Sequence, residues 1–479
     1  MRILLLSAIV VAFVSFSGAQ QKIVCYHGTW SYYRQGNGKF GVAQIDPFLC
    51  THLVYAFFGI APEGAIRILD PWLDLEDNYG LGNIKKFNEL KKLNPKLKTI
   101  AAVGGWNEGS TTFSQVANSE AKRKRFAKSA VEFLEKFHFD GLDMDWEYPG
   151  QRGGNPSTDK KAFTLFLKDL SEALHAKGFI LSAATASAEF SAEISYDIAE
   201  VGKYLDYIGI MTYDLHGSWD QKIGNNAPLY AGSWDETARE RQLNVDAAIS
   251  YWLQSGAPRE KILLGVPSYG RGFRMINGQS APGSPHAGPS DPGPHTRTPG
   301  MLGFNELCET RQSQKWEDHW DEQQFVPYVT KGSQWIGYDD EKSLRFKANY
   351  VQSHNLGGMM MWSIETDDFK GFCGRGAFPL LKEINSALLG TNVSIPKGIQ
   401  TDTQNDTEDF KMLFLAERQK NTMLKKFIHD FFLKIIQPKY QKFVEFNLLK
   451  QKFFSESFSE LYGEYVKMLS DAYNSENEL

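Results

Sequence analysis

Three carboxyl groups stand at alternate positions in Asp140-Gly141-Leu142-Asp143-Met144-Asp145-Trp146-Glu147. On a strand, Asp143, Asp145 and Glu147 share one face at about 6.6 Å spacing, and Leu142, Met144 and Trp146 take the other. Burying such a row is costly unless the acids are paired or hydrogen-bonded. Partial burial and a negative neighbour both hold a carboxyl protonated to higher pH, where it serves as a proton donor. Glu147, at the end of the row with Asp145 next to it, is the natural general acid.

A strand carrying that row needs a frame. Short apolar runs alternate with longer amphipathic stretches, the pattern of parallel strands joined by helices. Strands are predicted over Lys22–Tyr26, His52–Phe58, Lys98–Gly104, Gly141–Glu147, Ile180–Ala184, Tyr207–Tyr213, Ile262–Val266 and Gly357–Trp362, with helices such as Ser119–Phe137 and Thr158–Lys177 between them. Eight strand–helix units over roughly 250 residues or more predict an α/β fold, a closed (β/α)8 TIM barrel. An open doubly wound sheet is the alternative, but no Gly-rich phosphate loop follows the first strand. In a barrel the apolar set of the acid strand faces the helices, the acids face the lumen, and Glu147 sits at the carboxyl end, where barrel enzymes place reactive groups. Between strands seven and eight, from about Arg271 to Trp335, the spacing swells beyond a simple connection and predicts an inserted subdomain.

The chain has 479 residues, 42% hydrophobic and 23% charged, which is globular composition and argues for one large domain with an appendage. A net charge of -5 gives no footprint for nucleic acid. Residues 1–19 have the layout of a secretory signal, so a secreted, extracellular protein is expected, with no stable membrane insertion. The barrel is expected over 20–389 and a polar linker over 390–409, with glycosylation sequons at Asn392 and Asn405. A helical tail of unknown role is expected over 410–479. Its apolar residues, Leu424, Phe427, Ile428 and Phe431 among them, keep helical spacing. Mutual packing of a helical pair is the leading reading there, and membrane or partner binding the other. Four cysteines, Cys25, Cys50, Cys308 and Cys373, suit structural disulfides in an oxidising compartment, with three connectivities open. None forms a close C-x-x-C pair, so no metal site is expected.

The row Asp140-x-x-Asp143-x-Asp145-x-Glu147 resembles the signature of family 18 chitinases. Cys25-Tyr26 with Trp30 and Tyr33-Arg34, Ala56-Phe57, Gly104-Gly105-Trp106-Asn107, Met211-Thr212-Tyr213-Asp214, Tyr269-Gly270-Arg271 and Met361-Trp362 match in order, over about Gln21 to Leu389. The resemblance implies a (β/α)8 barrel with an α+β insertion before the eighth strand. It also implies retaining hydrolysis of β-1,4-linked N-acetylglucosamine in chitin or chitooligosaccharides, with no cofactor, the substrate's acetamido group acting as nucleophile.

Carried over residue by residue, Glu147 is the acid, Asp145 the partner of the acetamido N–H, Asp143 its proton-sharing neighbour, and Tyr213 the donor to the acetamido oxygen. Asp214 lies near the same sugar. Tyr26, Trp30, Phe57, Trp106, Asn107, Met211, Trp219, Tyr269, Arg271 and Trp362 are expected to bind substrate. Thr298 stands where many relatives carry a glutamate, which weakens one sugar contact or the Arg271 partnership. The implied disulfides are Cys25–Cys50 and Cys308–Cys373. Against the hydrolase stand a sugar-binding lectin or growth-factor-like relative, a class that typically loses the acid, and an endo-acting glucosaminidase on N-linked glycans. The intact acid row speaks against the first, and the insertion and paired cleft tryptophans against the second.

Overall fold

A computed structural model describes residues 21–390. The signal segment, the sequons at Asn392 and Asn405 and the tail lie outside the described residues. Eight parallel strands form the barrel: β1 (Lys22–Gly28), β2 (His52–Ala61), β4 (Lys98–Gly104), β5 (Gly141–Asp145), β6 (Ile180–Ala186), β7 (Tyr207–Met211), β8 (Ile262–Pro267) and β15 (Gly358–Trp362). Each pairs with the next, and β1 pairs with both β2 and β15, so the sheet closes. A short strand, β3 (Ala65–Arg67), adds antiparallel to the end of β2.

The predicted strands are all present, Lys98–Gly104 with the expected ends and the others shifted at one or both. The acid strand stops at Asp145 rather than Glu147, because its pairing with β6 ends at Met144 opposite Ala183. Strand β7 stops at Met211 rather than Tyr213. There Thr212 N–H folds back to the Ile210 carbonyl at 2.8 Å and its hydroxyl donates to the Gly265 carbonyl at 2.6 Å. The chain thus leaves the sheet at the two places where the candidate chemistry begins.

Alternation along the strands divides the core into two layers. Leu142, Met144 and Trp146 pack outward with Phe126, Ala130 and Leu134 of the helix Glu120–Phe137 and Phe163, Phe166 and Leu170 of the helix Asp159–His175. The lumen is filled by Val24, Tyr26, Val54, Ile100, Tyr207, Leu263 and Met360. Burying a large apolar side chain contributes roughly 1.5–3 kcal/mol, so each layer strongly fixes which face each strand turns inward.

The insertion is a six-stranded antiparallel sheet of β9 (Tyr269–Met275), β10 (His286–Pro289), β11 (Met301–Gly303), β12 (Glu317–Asp321), β13 (Val326–Lys331) and β14 (Gln334–Gly337), with the helix Phe304–Thr310. Its sheet thus reaches two residues beyond the expected Arg271–Trp335 at each end. Cys25 is bonded to Cys50 and Cys308 to Cys373. No helix of the described residues is long and apolar enough to cross a membrane.

Candidate active site

The acid row climbs β5 toward the carboxyl end of the barrel. Asp143 is buried; its Oδ2 accepts from the Tyr26 hydroxyl at 2.8 Å and its Oδ1 from the Ser182 hydroxyl at 2.6 Å. Burial pushes its carboxyl up to about 6 although both donors pull it down. Asp145 closes the strand, also buried, and its Oδ1 has no hydrogen-bond partner. Burial first, then the charges of Glu147 and Asp143, hold it well above the ordinary range. Glu147 follows just past the strand and is partly buried. Burial pushes it up to about 7 against the downward pull of the Tyr148 hydroxyl and the Arg152 guanidinium, while the Asp214 charge adds to the rise.

The turn carrying Glu147 is held from behind. The Trp146 ring stacks on Phe113 at 5.3 Å, its indole N–H donates to the Ser110 hydroxyl at 3.0 Å, and that hydroxyl donates to the Tyr148 carbonyl at 3.0 Å. Buried Asp159 gathers the following loop, accepting from the backbone of Gly150 and Asn155 and from Ser114 and Asn118. This loop delivers Arg152, which donates to the Glu147 carbonyl at 2.9 Å and lies 3.4 Å over the Trp106 ring.

A second wall comes from β7 and the insertion. Met211 ends β7, and Tyr213 follows, buried, its ring 6.4 Å from that of Tyr269. Asp214 adopts a left-handed backbone (φ 54). Its Oδ1 accepts from the Tyr269 hydroxyl and from Arg271 Nε, both at 2.7 Å. Arg271 lies 5.1 Å from the Trp219 ring, and Trp219 is 58% exposed. Thr298 is exposed and donates to the Thr296 carbonyl. The partner of Arg271 is therefore Asp214.

Opposite lies an aromatic floor. Phe57, Trp362 and Trp30 form a continuous group, with Phe57–Trp362 at 5.6 Å, Trp30–Trp362 at 6.0 Å and Trp30–Phe57 at 6.2 Å. The pairing of β2 with β4 shifts by one residue between Tyr55 and Phe58, which frees Phe57 from the ladder. A Cβ on Gly105 would come within 2.6 Å of the Phe57 ring, and its φ of +83 also favours glycine. Trp106 and Asn107 are exposed on the loop after β4.

The structure brings the predicted acids, Tyr213, Asp214 and the aromatic residues to one end of the barrel; Tyr26 lies deeper, in the lumen, as the support of Asp143. Sequence reasoning missed Ser182 and Arg152. Ser182 carried a signal, as the one polar residue in the apolar run Ile180–Ala184, and it registers opposite Asp143. Among the described residues the group with metal-ligand spacing is Cys308, Asp368 and Cys373, whose cysteines are bonded to each other. Chemically, the site offers a proton from Glu147 near neutral pH. The unpartnered Asp145 Oδ1 offers an acceptor for an N–H brought by a ligand.

The family profile for glycosyl hydrolases family 18 matches residues 22–367. The chain is 38% identical over 415 residues to "Probable chitinase 2" of Drosophila melanogaster, spanning 80% of this chain and 84% of the relative. It is similar to the crystal structure of Ostrinia furnacalis Group IV chitinase in complex with allosamidin, at TM-score 0.74 and 45% identity, over 78% of this chain and 99% of that one. It is also similar to human YKL-39, described as a pseudo-chitinase with retained chitooligosaccharide binding properties, at TM-score 0.71 and 35% identity, over 78% of this chain and 100% of that one.

Proposed function

The chain belongs to glycosyl hydrolases family 18, and from that premise we propose that it is an endo-acting chitinase, hydrolysing β-1,4-N-acetylglucosamine linkages with retention by substrate-assisted catalysis. The observation that carries this reading is the buried, unpartnered Asp145 Oδ1 beside a Glu147 carboxyl held up to about 7. A buried oxygen without a partner is costly, and a substrate N–H repays that cost.

In the first step the Glu147 carboxyl gives its proton to the glycosidic oxygen, and the C1–O bond breaks with its electron pair leaving on that oxygen. The acetamido carbonyl oxygen of the sugar on the non-reducing side bonds to C1, forming an oxazolinium ion. Asp145 accepts the acetamido N–H and stabilises the growing positive charge, in a site where fixed charges act strongly. The Tyr213 hydroxyl holds the acetamido oxygen, and Asp214 orients the same sugar. In the second step the Glu147 carboxylate takes a proton from water, the water oxygen bonds to C1, and the acetamido oxygen departs. Two inversions leave the β-anomer. The rings of Trp30, Phe57, Trp106, Trp219 and Trp362 offer faces to the apolar faces of successive sugars, while Tyr269, 2% exposed, acts through its hydroxyl on Asp214. Export to the extracellular space belongs to the same reading and is supported by the leader-like residues 1–19.

Glu147→Gln tests the assignment. Removing a general acid costs roughly 10²- to 10⁴-fold, so turnover should collapse while oligosaccharide binding persists. NMR of freshly released product should show the β-anomer. Initial α-anomer, or equal turnover of fully deacetylated chitosan, would exclude the acetamido nucleophile. Binding without turnover by the unaltered chain would make it a sugar-binding relative instead.

A further inference from the structure

Between β7 and the helix Val245–Gln254 the chain runs through 33 residues, Thr212 to Asn244, with no strand and no α-helix. Two adjacent asparagines are buried in it, Asn225 and Asn226, at 0% and 1% exposure. They serve different neighbours. The Asn225 amide donates to Asp321 Oδ2 at 3.2 Å and Gln324 Oε1 at 2.8 Å, tying the loop to the far side of the insertion. Asn226 accepts at Oδ1 from the Asp214 N–H and donates from Nδ2 to the Tyr269 carbonyl, both at 2.9 Å.

Those two bonds complete a ring. The Asp214 backbone is tied to Asn226, Asn226 to the Tyr269 backbone, and the Tyr269 hydroxyl to the Asp214 carboxylate. One side of the ring belongs to the barrel and the other to the first strand of the insertion. Asp214 also sits at φ 54, a conformation that a non-glycine residue holds only when its surroundings over-determine it. The Asn226 amide oxygen on its N–H is such a constraint.

We propose that Asn226 is a positioning residue for sugar binding: it holds Asp214 in its left-handed conformation and the Tyr269 backbone at a fixed offset, so that barrel and insertion present one wall to the substrate. It acts through Asp214, Tyr269 and Arg271. The inference rests on the reading of the site as a chitooligosaccharide cleft. Asn225 supplies the built-in control, since its hydrogen bonds join loop to insertion at Asp321 and Gln324 rather than at any of the three.

The experiment compares unaltered protein, Asn226→Ala and Asn225→Ala on a soluble chitohexaose. Each lost hydrogen bond costs roughly a factor of five, so Asn226→Ala should raise KM about 5- to 30-fold, with kcat within about threefold. Asn225→Ala should lower the melting temperature while leaving KM within about twofold. Asn226→Asp, nearly isosteric, keeps the acceptor for the Asp214 N–H but turns an oxygen toward the Tyr269 carbonyl; it should raise KM at least as much as Asn226→Ala, and it serves if Asn226→Ala does not fold. An unchanged KM in both Asn226 variants, or an equal rise in Asn225→Ala, overturns the proposal. If the unaltered protein neither binds nor cleaves chitohexaose, the functional reading fails and a crystal structure of the Asn226 variant decides the positioning. Asp214 leaving its left-handed conformation supports it; an unmoved Asp214–Tyr269 pair overturns it.

Discussion

Arg152 is the cation that pulls the proposed acid down, and its removal should shift the pH at which activity falls. Its guanidinium donates to the Glu147 main-chain carbonyl at 2.9 Å and pulls the carboxyl down from where burial alone would put it. Taking about 6 Å between the two charges and an effective dielectric near 40 for a half-open cleft, Coulomb's law gives about 1.4 kcal/mol, or roughly one pH unit. The cation favours the ionised acid, so Arg152→Met raises the carboxyl above its present value of about 7. In the proposed mechanism Glu147 acts in its protonated form, so activity should be lost as pH rises through that value. The alkaline limb of kcat/KM on a soluble chitooligosaccharide should therefore move from near 7 toward about 8. Methionine keeps an apolar stem over Trp106, so a change in binding is separable from the change in limb. A limb that stays in place, or shifts to lower pH, would refute the electrostatic reasoning.

Asp143 and Glu147 are raised to about 6 and about 7, and Asp145 is raised as well, so protonation favours the fold. That contribution is full below about 4, where the unfolded carboxyls also protonate, and is lost as pH rises toward 7. Glu147→Gln should thus flatten the fall in melting temperature between pH 4.5 and 8; an unchanged slope counts against it. Opening the Cys308–Cys373 bond, which spans 65 residues, should cost up to about 4 kcal/mol in denaturant unfolding. Non-reducing peptide mapping that joined Cys25 to Cys308 would contradict the pairing. Truncation after Leu389 should leave turnover of short soluble oligomers within a few-fold; collapse in a folded truncated chain would mean the boundary is wrong.

The frame was legible because burial on two sides leaves clear apolar runs, and because Leu142, Met144 and Trp146 alternate with acids that must go elsewhere. Strand ends were less so. Whether Glu147 and Tyr213 continue a ladder depends on how far Ala183 and Gly265 reach in neighbouring strands, which local pattern does not carry. The residues proposed as reactive stood out by type and spacing; their supports did not. Arg152 reaches Glu147 through a loop shaped by Asp159, and Asn226 lies in a stretch with no period at all, so both become visible only once distant backbone is in place.

The closure of the barrel through β1 and β15 has a consequence in time. The first and last strands are hydrogen-bonded neighbours, with Val24 registered against Met360. A growing chain delivers β1 first, yet its second edge has no partner until Gly358–Trp362 is made. At roughly 5–20 residues per second that wait is on the order of tens of seconds. For roughly the last two-thirds of it, the acid strand is already synthesised and its lumen is open to water. Nascent protein therefore passes through a long-lived stage with an unpaired strand edge, and its yield should depend on chaperone supply and elongation rate more than on any single contact in the finished cleft.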